Sequence, residues 1–175
     1  GTIWGGEFLL VDDDEWERWA CLRPFRLPGG ERAVREPRRT ALGVMHAMFG
    51  DRLLLSGDAS LERLSKAERD LLCRALVTGL NAPVTSSAGR LFDAVASILG
   101  VRQLMTFEGQ AAMELEWAID PLETGAYPFN LRAPGADDAI GTFHAPALIV
   151  DWRPAIGELL ADVNAHTLLG AMAAR

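Results

Sequence analysis

The residues of this chain that could do chemistry gather between Thr85 and Glu116, TSSAGRLFDAVASILGVRQLMTFEGQAAMELE. Ser86, Ser87, Gly89, Arg90 and Asp93 crowd what reads as the start of one helix. Glu108 and Gly109 mark the start of a second. The first amides of a helix lack intrahelical acceptors, and the positive end of the dipole lies beside them. A helix start of this kind therefore favours an anion. Serine hydroxyls add donors, arginine adds a fixed cation, and glycine lets a ligand come close to the backbone. The chemistry that suits this set is the binding of a phosphorylated ligand, although the spacing alone is not specific.

The elements that must position these residues can be read in outline. Ile3 to Val11 is strand-like. Asp12-Asp13-Asp14-Glu15 is an acidic turn, and Trp16 to Arg26 resumes as a strand, so residues 1–33 read as a β-hairpin region with a longer loop. Gly5 and Gly6 interrupt the first strand, either as a bulge or as a turn near a ligand. Residues 34–120 are mainly helical. Pro37 suits a first helical turn, and Ala41, Leu42, Met45, Met48 and Phe49 follow with helical spacing. Residues 51–60 read as a loop. Ser65 and Glu68 form a capping box before Leu71, Leu72, Leu76 and Gly79. In the helix after Ser87, a 100° step places Leu91, Phe92, Val95, Ile98 and Leu99 on one face. Gly89, Arg90, Asp93 and Ser97 fall opposite, so Asp93 is expected to face solvent, a ligand or another lobe. Gly100 ends that helix. The next one, from about Gly109 to Ile119, turns Ala111, Ala112, Leu115 and Ile119 inward. Residues 121–175 read as a long loop with a short strand near Tyr127–Leu131, a strand from Ala147 to Val150, and a helix capped by Asp151.

Composition narrows the class. The chain has 175 residues, 49% of them hydrophobic, and can bury a full core. A net charge of −7 argues against general affinity for nucleic acid. No apolar run is long enough to span a bilayer. The two cysteines, Cys21 and Cys73, are far apart and in no motif, which points to buried thiols and a cytoplasmic setting. His46, His144 and His166 have no ligand spacing for a metal. Arg32, Arg35, Arg38 and Arg39, interrupted by Glu31 and Glu36, read as a solvated helix start. The five tryptophans are expected to fill core or inter-lobe contacts.

Several words, in order along the chain, resemble the HypF carbamoyltransferase family. They are Ile3-Trp-Gly-Gly-Glu-Phe-Leu9, Leu27-Pro-Gly-Gly30, Arg35-Glu-Pro-Arg38, Thr85-Ser-Ser-Ala-Gly-Arg-Leu-Phe-Asp-Ala-Val95 and Glu108-Gly-Gln-Ala-Ala-Met-Glu-Leu-Glu116. The resemblance runs from end to end and covers the middle of that family's C-terminal domain, which is similar to the universal tRNA threonylcarbamoyl transferase. It implies a helix-rich, mixed α/β fold: part of an actin/Hsp70/sugar-kinase-like (ribonuclease H-like) domain with a β-hairpin and a helical insertion.

The resemblance also implies a chemistry. Members use carbamoyl phosphate and ATP, pass through carbamoyl-adenylate, and carbamoylate the C-terminal cysteine of a HypE-like acceptor protein for the cyanide ligands of nickel–iron hydrogenase. By matching position, Gly5, Gly6, Ser86, Ser87, Gly89, Arg90, Asp93, Glu108 and Gly109 become the candidate nucleotide-binding residues. Ser and Arg stand beside Gly89 where the tRNA-modifying relatives carry acids for the ribose, which leaves Gly89 and Asp93 as the retained positions. The family's metal ligands for zinc or iron, a His-x-x-x-His pair and two aspartates, match nothing in this chain. The chain is thus expected to be a piece of a carbamoyl-transfer domain and inactive alone. An O-carbamoyltransferase acting on a small alcohol and a non-catalytic scaffold that docks a partner stay open beside this reading.

Overall fold

The computed structural model describes residues 2–55, 64–136, 138 and 145–175. The glycine pair near the start decides the first topological event. Thr2–Ile3 (β1) and Glu7–Asp12 (β2) are separate strands, divided at Gly5, whose φ of +150° favours glycine. Glu15–Leu22 (β3) pairs antiparallel with β2, and Asp12 lies opposite Glu15. The hairpin loop is therefore only two residues, Asp13 and Asp14, and not the longer loop expected. Asp13 takes φ +48°, a conformation aspartate tolerates and a tight hairpin needs. The second expected strand also divides. Phe25–Arg26 (β4) leaves β3 and joins Val84–Thr85 (β5), which also pairs in parallel with β1. What reads as one hairpin thus feeds two sheets.

The local helix signals act as expected. Glu31–Arg35 (α1) leads into Pro37–Phe49 (α2), with Pro37 in the first turn. Residues 50–55 form a 3-10 helix where a loop is expected; positions 56–60 of that loop lie outside the described residues. Ser65 caps Lys66–Thr78 (α3), its Oγ accepting from the Glu68 amide at 3.3 Å, and Gly79 ends it at φ +73°. Ala88–Ile98 (α4) is followed by Gly100 at φ +82°, and Gln110–Trp117 (α5) begins after Gly109 at φ +78°. Asn130–Arg132 (β6) and Leu148–Asp151 (β7) complete the larger sheet in the order β2-β3-β7-β6. The chain then forms Arg153–Asn164 (α6) and Leu169–Ala174 (α7), parted near His166 at φ +56°. His144 lies outside the described residues. With seven α-helices and two mixed sheets among the described residues, the architecture is mixed α/β, in keeping with a ribonuclease H-like domain.

The core lies between α2, α3, α4 and α6 and includes Leu27, Leu42, Met45, Leu76, Trp152, Ile156 and Leu159. Gly43 explains how α2 reaches β4: a Cβ there would sit 2.0 Å from the Arg26 carbonyl oxygen. Trp152 is the buried tryptophan. It meets Phe25 edge-on at 5.9 Å and donates from Nε1 to the Arg23 carbonyl at 2.8 Å. Trp4, Trp16, Trp19 and Trp117 are exposed, contrary to a core role. Both cysteines are free and buried.

Three further expectations are corrected. The arginine cluster is a solvated helix start only at Arg32 and Arg35, which are exposed, and not at Arg38 and Arg39. Buried Glu36 accepts from Arg32, Arg38 and Arg39, and Arg39, itself buried, also pairs with Glu68. Asp151 is not the N-cap of α6, a place taken by Trp152. The Asp151 carboxylate accepts from the Arg153 amide at 3.2 Å and ion-pairs with Arg132 and Arg153. Leu71 and Ile119 face solvent.

Candidate functional site

Thr85 lies at the junction of β5 and α4, and its side chain shapes the entry into that helix. Its Oγ1 donates to the Ile3 carbonyl at 3.0 Å and accepts from the Ser87 amide at 3.1 Å. Ser86 and Ala88 donate from their amides to the Ile3 and Gly5 carbonyls at 3.0 and 3.1 Å. Ser87 caps α4, its Oγ accepting from the Arg90 amide. The β1–β2 turn is thereby laced to the first turn of α4, bringing Gly5, Gly6, Ser86 and Ser87 together across about 80 residues of sequence.

The two glycines are required by this approach. A Cβ at Gly6 would lie 2.1 Å from the Ser86 carbonyl oxygen, and one at Gly5 would lie 3.1 Å from Ser87 Oγ. Their amides have an acceptor within the chain. Glu7 Oε2 accepts from the Gly5 and Gly6 amides at 2.5 and 2.9 Å, while Oε1 accepts from Arg18 Nη2 at 2.8 Å and from Ser86 Oγ. Burial pushes the Glu7 carboxyl up, but the hydrogen bonds from Ser86, Gly5, Arg18 and Gly6 outweigh it and hold the group below its ordinary range. Arg18 also lies over the Trp4 ring, 4.4 Å from its centroid. Reading the sequence for site residues misses Glu7 and Arg18. The available signal is an acid directly after two glycines, where a carboxylate can fold back onto a pair of backbone N–H groups.

Gly89 is different. A Cβ there would meet only Ser87 Oγ, at 3.8 Å, so close helix packing does not explain this glycine. Arg90 turns toward α1, donating to the Val34 carbonyl at 3.1 Å and pairing with Asp93 at 3.0 Å. Asp93 is the main correction here: it is 1% exposed and does not face solvent or an open cleft. Burial pushes its carboxyl up to about 6, against the opposing pull of Arg90. Ser97 is buried on the same side, whereas Phe92, expected inward, is 53% exposed.

Leu91, Phe92 and Val95 line a cavity of about 470 Å³ with Leu22, Trp152 and Leu159. Gly6, Glu7 and Ala88 also line it, so the laced turn borders an apolar hollow. Glu108 and Gly109 do not join this group. Glu108 is exposed at a separate pocket with Val34, Arg35, Met105 and Phe107, and Gly109 has open space where a Cβ would stand. Arg90 links the two places through Val34. Among the described residues, no group of three or more His, Cys, Asp and Glu side chains is placed to hold a metal ion, and no helix is long and apolar enough to cross a membrane.

Known proteins resemble this chain in sequence and fold. The family model described as "Carbamoyltransferase, Kae1-like Domain, second subdomain" matches residues 1–175. The chain is 46% identical over 178 residues to Carbamoyltransferase HypF of Rhodobacter capsulatus, covering 99% of this chain and 21% of that protein. It is 35% identical over 182 residues to Carbamoyltransferase HypF of a Synechocystis species, covering 97% and 22%. A crystal structure of full-length HypF in the phosphate- and nucleotide-bound form superposes with a TM-score of 0.82 at 30% identity, covering 99% of this chain and 25% of that one. The chain thus spans about a fifth to a quarter of the length of these relatives.

Proposed function

Because the chain belongs to the HypF carbamoyltransferase family, as the second subdomain of its Kae1-like domain, we propose that it supplies one wall of a nucleotide-handling, carbamoyl-transferring site in a longer protein. The observation that carries this reading is the meeting of Gly5, Gly6, Ser86 and Ser87 beside an apolar cavity that Gly6, Glu7 and Ala88 help to line, with Gly89 open next to them. A related full-length HypF has been crystallised with phosphate and nucleotide, which supports an anion-bearing ligand for this surface.

The substrates in this reading are carbamoyl phosphate and ATP, joined as carbamoyl-adenylate. The acceptor is the C-terminal cysteine thiolate of a HypE-like protein. The thiolate attacks the carbamoyl carbon and AMP leaves, so the chemistry asks the protein for position and dryness more than for a new nucleophile. The open face at Gly89 admits a nucleotide close to the backbone. The Thr85–Ala88 lacing holds that face still, and the apolar cavity limits water beside it. Asp93 contributes indirectly, by holding Arg90 against α1. Among the described residues no side chains are placed to hold zinc or iron, and Glu7, the carboxylate nearest the turn, already accepts from four donors. In this reading the zinc or iron is held by residues elsewhere in the longer protein. The buried free cysteines suit a reducing cytoplasm.

The test uses the full-length protein with carbamoyl phosphate, ATP and a purified HypE-like acceptor. Intact-mass measurement should show one added carbamoyl group, lost when the acceptor's terminal cysteine is replaced. Carbamoylation of a small alcohol in place of the thiol would favour the O-carbamoyltransferase alternative. No incorporation into either would leave the chain as a docking scaffold.

A further inference from the structure

Glu7 stands apart from the other carboxylates of this chain. One nearly buried side chain gathers donors from three separate elements: the Gly5 and Gly6 amides of the β1–β2 turn, the Ser86 hydroxyl before α4, and Arg18 of β3. Nothing else among the described residues ties all three together by side chain. Backbone bonds hold the turn pairwise: Ser86 and Ala88 donate to Ile3 and Gly5, and Leu22 of β3 donates to Gly6 at 2.8 Å. Glu7 joins the turn, Ser86 and β3 at one carboxylate, beside the cavity that it helps to line.

We propose that Glu7 is a positioning residue for the nucleotide-facing start of α4, setting the orientation of Ser86, Ser87 and Gly89 without touching the ligand itself. This rests on the functional reading above and deepens it. Glu7 is not a candidate general base. All of its donors favour the ionised form, and its hydrogen bond with Ser86 holds the hydroxyl proton in place. Nor is an incoming anion expected to share the seat, because the carboxylate already fills the two glycine amides.

Glutamine at position 7 separates shape from chemistry. It has the same size, but one carboxylate oxygen becomes an NH2 group. Turned one way, that group faces the Gly5 and Gly6 amides, donor against donor. Turned the other way, it faces Arg18. Either orientation breaks one line of support.

The experiment measures KM for ATP and kcat for carbamoyl transfer in the full-length protein, with thermal midpoints recorded alongside. Glu7→Gln should raise KM for ATP about tenfold, with kcat changed less than about twofold, as expected when one or two hydrogen bonds that orient a binding surface are lost. Ser86→Ala should raise KM in the same direction, and the double variant should show less than the sum, because both cut the same support. Leu76→Ala, a core substitution far from the turn, serves as the stability control. At an equal loss in midpoint it should leave KM unchanged. If Leu76→Ala raises KM as much as Glu7→Gln does, Glu7 is merely structural and the proposal falls. An unchanged KM in Glu7→Gln also overturns it. Should Glu7→Gln not fold, Arg18→Met, which removes a Glu7 donor that is not placed on the ligand, decides alone: a raised KM supports the proposal and an unchanged KM overturns it. Absence of any carbamoyl transfer by the unsubstituted protein would overturn the functional reading as well, whereas transfer with an unaltered KM in the variants would overturn this inference only.

Discussion

The Asp93 carboxylate lies 3.0 Å from the Arg90 guanidinium one helical turn before it, on the side of α4 that is closed to solvent. The pair does not offset the burial of the charge, since the carboxyl is pushed up to about 6 from an ordinary value of 3.8. A raised acid binds its proton more tightly in the folded state than in the unfolded one. Its contribution to stability is therefore complete below about pH 4 and is lost as pH climbs through about 6. Asp93→Asn should remove that slope and raise stability at neutral pH by about 2 kcal/mol. Urea melts between pH 4 and 8 check this; an equal slope in the variant would sink it.

Glu36 predicts the opposite limb. Burial raises its carboxyl, but the hydrogen bonds from Arg39 and Arg38 outweigh that and hold it below its ordinary range. Its contribution is present above the unfolded value of about 4.5 and is lost as pH falls through the depressed folded value. Glu36→Ala leaves the buried Arg39 with Glu68 alone and should cost about 3 kcal/mol. Unfolding of the variant at neutral pH measures this, and a loss under 1 kcal/mol, roughly the worth of a surface pair, would show the hub to be no more than surface pairing.

Gly6 and Gly89 look alike in sequence and should behave differently. Gly6→Ala forces a Cβ against the Ser86 carbonyl oxygen and should destabilise by more than about 3 kcal/mol. Gly89→Ala meets no obstacle and should be neutral or stabilise α4 by about 0.5 kcal/mol. In the full-length protein, Gly89→Trp should then weaken nucleotide binding while the thermal midpoint holds. Unaltered binding would remove Gly89 from the ligand-facing surface.

Strand β2 is the outer strand of its sheet, and Leu9, Leu10 and Val11 are all more than half exposed along it. An apolar edge of this kind pairs readily with another chain. The 175-residue chain should associate as its concentration rises, and Leu10→Lys should reduce that association in sedimentation velocity runs. Equal association in the variant would place the sticky surface elsewhere.

Much of the fold is legible because capping and turn chemistry act locally. Pro37, Ser65, Gly79 and Gly100 mark their helix ends through backbone constraints that neighbouring residues satisfy within a turn. The reading of α4 fails for a different reason. A helical wheel tells which residues share a face, but not which face meets a neighbour. Here α2 and α5 pack on the sides carrying Ala94, Ala96 and Ser97, while Leu91 and Phe92 are left to line the cavity. Charge misleads similarly at Glu36 and Asp151, because a sequence cannot show that two or three guanidinium groups will converge on one carboxylate.

The words around Gly5–Gly6 and Ser86–Ser87 carry the family and the candidate surface in the linear chain, since glycine conformations and helix starts are properties of a few adjacent residues. Their meeting is a tertiary fact. Strand β1 had to leave β2 and pair with β5 before the turn could touch α4, and only then could Glu7 gather its donors. Burial and pairing energies depend on contacts across about 80 residues, so the seat of Glu7 and the burial of Asp93 are decided by the packed fold and not by the order of the residues.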